Sequence, residues 1–190
     1  ASMNKIEVSY FNFINICENP TIIINAKRGS GKSTMVRELM NYFNISLKYP
    51  VCVLCSYSEK VDPYYSLFMP PSYIYEDCER MISKVLKRQI EMKNINNQRL
   101  KEGKKKIDDR ILVVMDDCIS DSKIWRKSKD LGEIIYNGRH YNITLIIVSQ
   151  DIVAIPPNFR SNIDIVMLFN TSIQEELKKF LKEHLKIELY

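Results

Sequence analysis

Apolar positions along this chain follow two rhythms. Short continuous runs rich in β-branched residues alternate with longer stretches in which apolar residues return at helical spacing. TIIIN (Thr21 to Asn25) ends at a glycine-bearing loop, and STMVRELMNYF (Ser33 to Phe43) follows with Met35, Val36, Leu39, Met40 and Phe43 on one helical face. That reads as strand, loop, helix. PVCVLCS (Pro50 to Ser56) predicts a second strand, and SYIY (Ser72 to Tyr75) a short third one after the turn at Pro70 and Pro71. Glu76 to Ile95 repeats apolar residues at Met81, Ile82, Val85, Leu86, Ile90 and Met92, which predicts a helix with a basic outer side; its polar tail NNQRLKEGKKKIDD predicts a mobile segment.

ILVVM (Ile111 to Met115), ITLIIVS (Ile143 to Ser149) and IDIVMLF (Ile163 to Phe169) are apolar throughout, the pattern of strands covered on both faces in a parallel sheet. Between the first two lies SKDLGEIIYNGRHYN, mostly helical with a turn at Asn137 and Gly138, and Ser172 to Tyr190 predicts a closing amphipathic helix. No internal repeat is visible. Strands alternating with helices through short loops predict a three-layer α/β sandwich.

Size and composition narrow the picture. A chain of 190 residues suits one domain, read from residue 4 to 190 with the opening ASM taken as an expression scar ahead of Met3. Apolar residues at 45% and charged residues at 27% are ordinary globular values and exclude a disordered or fibrous chain. The net charge of +5 favours a polyanionic partner, and its distribution points to the segment from Arg80 to Arg110, where basic residues outnumber acidic ones. Five cysteines in irregular spacing read as reduced thiols, and the Cys52/Cys55 pair, inside an apolar run, reads as core packing and not as a metal site. No run approaches bilayer length and no signal peptide opens the chain, so the expectation is a soluble protein.

The chemistry is concentrated in AKRGSGKST. Ala26, Lys27, Arg28, Gly29, Ser30, Gly31, Lys32 and Ser33 fit the phosphate-loop pattern G-x-x-x-x-G-K-[ST] with alanine in place of the first glycine, and Thr34 extends the set into the helix. A strand before and a helix after let successive backbone N–H groups converge on an anion. Lys32 reaches β- and γ-phosphates as a point charge, and the Ser33 hydroxyl is the expected Mg²⁺ ligand. Asp116, at the carboxyl end of a buried strand, is the second expected metal ligand. Asp117 beside it is the candidate general base, against the simpler reading of a helix cap. Gln150 ends another buried strand, where an amide can hydrogen-bond the γ-phosphate or the attacking water.

Four pieces in order, AKRGSGKS, ILVVMDD, NGRHYNITLIIVSQ and PPNFRSNIDIVMLFN, resemble the FtsK/HerA superfamily of DNA-pumping ATPases and, within it, the poxvirus-type genome-packaging ATPases of large eukaryotic DNA viruses. The first piece is generic to P-loop NTPases. GRHYN ahead of a strand ending in Ser-Gln, followed by RSNID and another strand, is far more specific. The resemblance implies a P-loop NTPase of the RecA/ASCE type with a mainly parallel sheet and an extra strand between the phosphate-loop and magnesium strands. It implies ATP and Mg²⁺ as cofactors and a homo-oligomeric ring, pentamer or hexamer, that loads double-stranded DNA into a preformed capsid. Capsid or inner-membrane viral proteins are the implied docking partners, and the host cytoplasm (viral factory) or virion the implied location.

It also gives meaning to Arg139 and Arg160 as candidates for an arginine finger reaching a neighbour's site, with a surface ion pair as the plain alternative. The Arg99 to Lys106 tract is the first choice for contacts to DNA phosphates, with a solvated loop as the plain alternative. Two rivals stand beside the motor: a P-loop small-molecule kinase, which calls for an arginine-rich lid, and a nucleotide-gated assembly or DNA-binding protein with weak hydrolysis.

Overall fold

The computed structural model describes residues 12–118, 128–151 and 155–169. Within them β1 (Thr21–Ala26), β2 (Val51–Ser56), β3 (Ile74–Tyr75), β4 (Ile111–Asp116), β5 (Ile143–Ser149) and β6 (Ile165–Phe169) form one sheet in the order β3-β2-β4-β5-β1-β6. Every pairing is parallel. β5 therefore lies between the strand that feeds the glycine loop and the strand that ends in Asp116. That is the extra strand the family resemblance implies. The expected helix over 172–190 lies outside the described residues.

The continuous apolar runs have a direct physical explanation. Alternate residues of a strand point to opposite faces, and both faces are covered here. Ile23 joins one core with Val113, Leu145 and Ile147, while Ile22 and Ile24 join the other with Leu112, Val114 and Ile146. The first core is closed by α2 (Cys78–Lys101) through Met81, Ile82 and Val85, and by α3 (Lys129–Asn137) through Leu131 and Ile134. The second is closed by α1 (Lys32–Asn41), whose Val36, Leu39 and Met40 are buried, and by Phe43 in the π-helical turn that follows. Full burial of each such aliphatic side chain is worth about 1.5–3 kcal/mol.

The polar tail expected to be mobile is not. α2 continues to Lys101, and the chain beyond it is fastened back onto the helix. The Asn96 amide donates to Ile107 O (3.0 Å) and to the Asp109 carboxylate (3.2 Å), and Asn96 Oδ1 accepts from Ile107 N–H at 2.8 Å. Gln89 donates to Asp109 O at 2.8 Å. Two buried amides on the inner face of α2 thus hold a segment whose composition reads as solvated.

The CxxC pair splits as strand geometry requires. Cys52 packs toward the α1 side and Cys55 toward the α2 side, so the two share no site.

Candidate active site

Parallel strands deliver their carboxyl ends to one rim, and four chemical elements meet there. The first is the turn from Lys27 to Gly31 between β1 and α1. It closes on itself, with Ser30 N–H and Oγ both donating to Lys27 O (3.3 and 2.7 Å). Gly29 (φ +76°) and Gly31 (φ +90°) sit in left-handed conformation, and a Cβ on either would meet nothing within 4 Å. Backbone conformation, and not space, therefore demands glycine at both. Ala26 departs from the glycine pattern without strain, because it is the last residue of β1, buried and paired with Phe169.

Lys32, the first residue of α1, points across the rim to the tip of β4. Its Nζ lies 3.7 Å from Asp116 Oδ1 and is directly paired with the Asp117 carboxylate. Asp117 holds a left-handed backbone (φ +52°) immediately after the strand, and its N–H still donates to Val148 O (3.2 Å). Aspartate tolerates this conformation better than most residues. From β5, Gln150 donates to Asp117 Oδ2 at 3.1 Å. Lys32, both aspartates and Gln150 thus converge. Arg28, Gly29, Gly31, Ser33 and Thr34 line the same cavity of about 590 Å³, a size suited to a nucleotide.

The far wall of that cavity comes from residues 58–65, between β2 and β3, and it carries groups that sequence patterning missed. Glu59 gathers three backbone N–H groups, those of Tyr64 (3.1 Å), Tyr65 (3.0 Å) and Ser66 (2.8 Å). Burial raises the Glu59 pKa, but these N–H donors outweigh it and hold the carboxyl below its ordinary value. The wall is thereby fixed so that the Tyr65 hydroxyl donates to Asp116 Oδ2 at 2.9 Å and the Tyr64 hydroxyl to Ser33 O at 3.4 Å. The available signal was SEKVDPYYS, an Asp-Pro turn with tyrosines behind a buried strand.

The site fits a hard cation next to a polyphosphate. Asp116 is 4% exposed, and its Oδ1 is a buried oxygen with no hydrogen-bond partner. A buried carboxylate oxygen left open is costly unless a ligand completes it. Burial pushes the Asp116 pKa above the usual carboxylate range, with the Lys32 charge and the Tyr65 hydroxyl acting against it. Ser33 and Asp116 are the residues that would hold Mg²⁺.

A family model described as Poxvirus A32 protein matches residues 9–186. The chain belongs to the poxvirus A32 protein family. Relatives of this A32-family chain include the uncharacterized protein L437 of Acanthamoeba polyphaga mimivirus, 33% identical over 95% of the chain and 63% of that protein. Another is the uncharacterized protein 015R of Frog virus 3, 31% identical over 78% of the chain and 43% of that protein. The chain thus spans between 43% and 63% of the length of these relatives. Among solved structures, the genome packaging NTPase B204 from Sulfolobus turreted icosahedral virus 2 in complex with AMPPCP superposes with a TM-score of 0.63 at 14% identity, covering 87% of this chain and 82% of that one. ATPases 2 and 3 of EssC from Geobacillus thermodenitrificans give 0.54 at 21% identity, covering 86% and 34%. At these identities the likeness establishes the P-loop NTPase fold.

The remaining candidates of the A32-family chain lie elsewhere. Arg139 belongs to the 3₁₀ turn Gly138–Tyr141 that leads into β5, on the rim opposite the glycine loop, where it pairs with Asp164. Arg160 is 7% exposed, and its Nε donates to Ile155 O at 2.6 Å. The tract from Arg99 to Lys106 starts in the last turn of α2 and leads toward the amino end of β4, also opposite the loop; Lys101, Lys105 and Lys106 are exposed there. No helix among the described residues is long and apolar enough to cross a membrane.

Proposed function

We propose that this chain is the Mg²⁺-dependent ATPase domain of a viral motor that drives double-stranded DNA into a capsid. The observation that carries the reading is the meeting of Lys32, Asp116, Asp117 and Gln150 on one rim beside the glycine loop. Family membership and the likeness to B204, a genome packaging NTPase, support the packaging role.

In this reading the N–H groups of the loop from Ala26 through Thr34 bind the triphosphate, and Lys32 leaves Asp117 to neutralise the β- and γ-oxygens. Released from the lysine, the Asp117 carboxylate accepts the proton of the attacking water, while Gln150, already on Asp117 Oδ2, holds that water in line. Tyr65 fixes the orientation of Asp116. Ser33 and Asp116 would hold Mg²⁺, which would supply charge neutralisation at the phosphates. Among the described residues the wall facing the loop carries Glu59 and Asp62 and no arginine, which disfavours a small-molecule kinase.

The motor reading requires a homo-oligomeric ring with a trans arginine. Arg139 is the exposed one of the two candidates, and its release from Asp164 would make it available to a neighbour. The basic tract beyond Arg99 is the proposed contact with DNA phosphates. Capsid or inner-membrane viral proteins are the proposed docking partners, in the viral factory or virion.

The test is steady-state ATP turnover with and without duplex DNA, with an added nucleoside as competing phosphoryl acceptor. Stimulation by duplex without phosphorylation of the nucleoside is expected. Turnover indifferent to DNA, or phosphate transfer to the nucleoside, contradicts the proposal.

A further inference from the structure

Behind the two aspartates lies a cluster that the ATPase chemistry does not use. Cys55, near the end of β2, Cys78, the first residue of α2, and Cys118, directly after Asp117, place their three Sγ atoms within 4.8 Å of one another. All three are at most 1% exposed, although they come from three separate elements. Cys118 Sγ sits 3.1 Å from Cys55 O and 3.2 Å from Asp116 O, so it packs against the strand tip that carries the metal-ligand carboxylate.

We propose that Cys55, Cys78 and Cys118 form a three-thiolate site for one thiophilic d¹⁰ cation, Zn²⁺ or Cu⁺. Metal–sulfur bonds of about 2.3 Å in a trigonal arrangement put the sulfurs about 4 Å apart, so small rotamer shifts suffice to close the site. On binding, each thiol gives up its proton to solvent and its sulfur lone pair to the cation. Three thiolates leave one surplus negative charge with Zn²⁺ and two with Cu⁺. The amino end of α2, a helix of 24 residues that begins at Cys78, faces that charge with its partial positive pole. Charge therefore favours Zn²⁺, whereas the three-ligand set favours Cu⁺; both rest on the same soft-donor chemistry. No fourth side chain of the His, Cys, Asp or Glu type joins them among the described residues.

The consequence is mechanical. A cation here ties the end of β2, the start of α2 and the turn holding Asp117 at φ +52° to a single point. The site would stiffen the turn that presents the two carboxylates without touching the nucleotide.

The test titrates the full chain, kept reduced, with Zn²⁺ and separately with Cu⁺, each against a chromophoric chelator, and uses Co²⁺ as a spectroscopic probe. One cation per chain is expected, with thiolate-to-cobalt charge-transfer absorption and a Tm several degrees higher in the loaded form. The double variant Cys17→Ser/Cys52→Ser should keep all three signals, and Cys78→Ser should weaken affinity by at least about a hundredfold. Which cation outcompetes its chelator decides between the two. If Cys78→Ser does not fold, the wild type and the double variant suffice. Failure of the wild type to compete for either cation, or loss of the signals in the double variant, overturns the site and leaves three small buried side chains that only fill the core.

Discussion

The two rims of the sheet are built from similar polar residues and treat them in opposite ways. At the amino rim the buried carboxylates are fully paired. Asp109, 9% exposed, takes the Asn142 amide on one oxygen (2.7 Å) and the Asn96 amide on the other (3.2 Å). Asn142 in turn accepts from Asn19, and Tyr49 bonds Thr144 at 2.9 Å. Asp164 takes Thr21 N–H on one oxygen (2.8 Å) and Arg139 on the other. At the carboxyl rim the same kinds of group are left open. Three buried side-chain oxygens among the described residues lack a hydrogen-bond partner; Asn25 Oδ1 and Asp116 Oδ1 lie on strand tips beside the loop, and Asn44 Oδ1 lies near the amino end of β2. A satisfied network specifies structure, whereas an open one stores interaction energy for a ligand.

That contrast can be broken by mutation. The largest effect belongs to Lys32→Ala, which removes the charge that balances both aspartates and the phosphates. ATP turnover should fall by more than about 10²-fold with nucleotide binding lost; ordinary affinity by calorimetry would contradict the loop assignment. Asp117→Asn should keep nucleotide affinity and lower kcat by about 10²–10⁴-fold, and a normal kcat removes Asp117 as the base. Mixing Arg139→Ala with Lys32→Ala subunits should restore part of the activity if the arginine acts in trans; no recovery removes that role.

On the amino rim the readout changes from rate to stability. Asp109→Ala removes the acceptor of the Asn142 amide and one of the two bonds donated by the Asn96 amide, and should cost about 1–3 kcal/mol in urea unfolding with kcat per folded molecule unchanged. A rate loss with no stability loss would erase the distinction between the rims.

The smallest effects sharpen it. Tyr65→Phe removes a hydrogen bond that favours ionised Asp116, so the acid limb of the pH–rate profile should move to higher pH; a limb that stays put excludes Tyr65 from positioning. The Glu59 carboxyl is depressed in the folded chain. Its contribution is therefore present above the ordinary glutamate value and fades as pH falls through its lower native one. Amide exchange in residues 58–66 should accelerate over that window, and Glu59→Gln should abolish the pH dependence.

What was legible in the chain follows from locality. TIIIN, ILVVM and ITLIIVS announce strands because both their faces are buried, and Gly29 to Ser33 announce a phosphate loop because a few adjacent residues define it. Lys32, Asp116, Asp117 and Gln150 could be set on one rim because parallel strands share an end. The wall around Glu59 was not legible, since its order comes from one carboxylate collecting backbone N–H groups, which leaves no periodic trace. The anchored tail after α2 was hidden likewise, because Asn96 and Gln89 look like surface residues until Ile107 and Asp109 fold back on them. The cysteine cluster draws on positions 55, 78 and 118, too far apart for spacing to reveal.

The most direct check is a crystal structure of the chain with Mg²⁺ and a non-hydrolysable ATP analogue. The account predicts the Lys32 ammonium within about 3 Å of the terminal phosphate, detached from Asp117, with Ser33 and Asp116 on the cation. An analogue bound anywhere else, or a lysine still held by Asp117 with the phosphates in place, contradicts it.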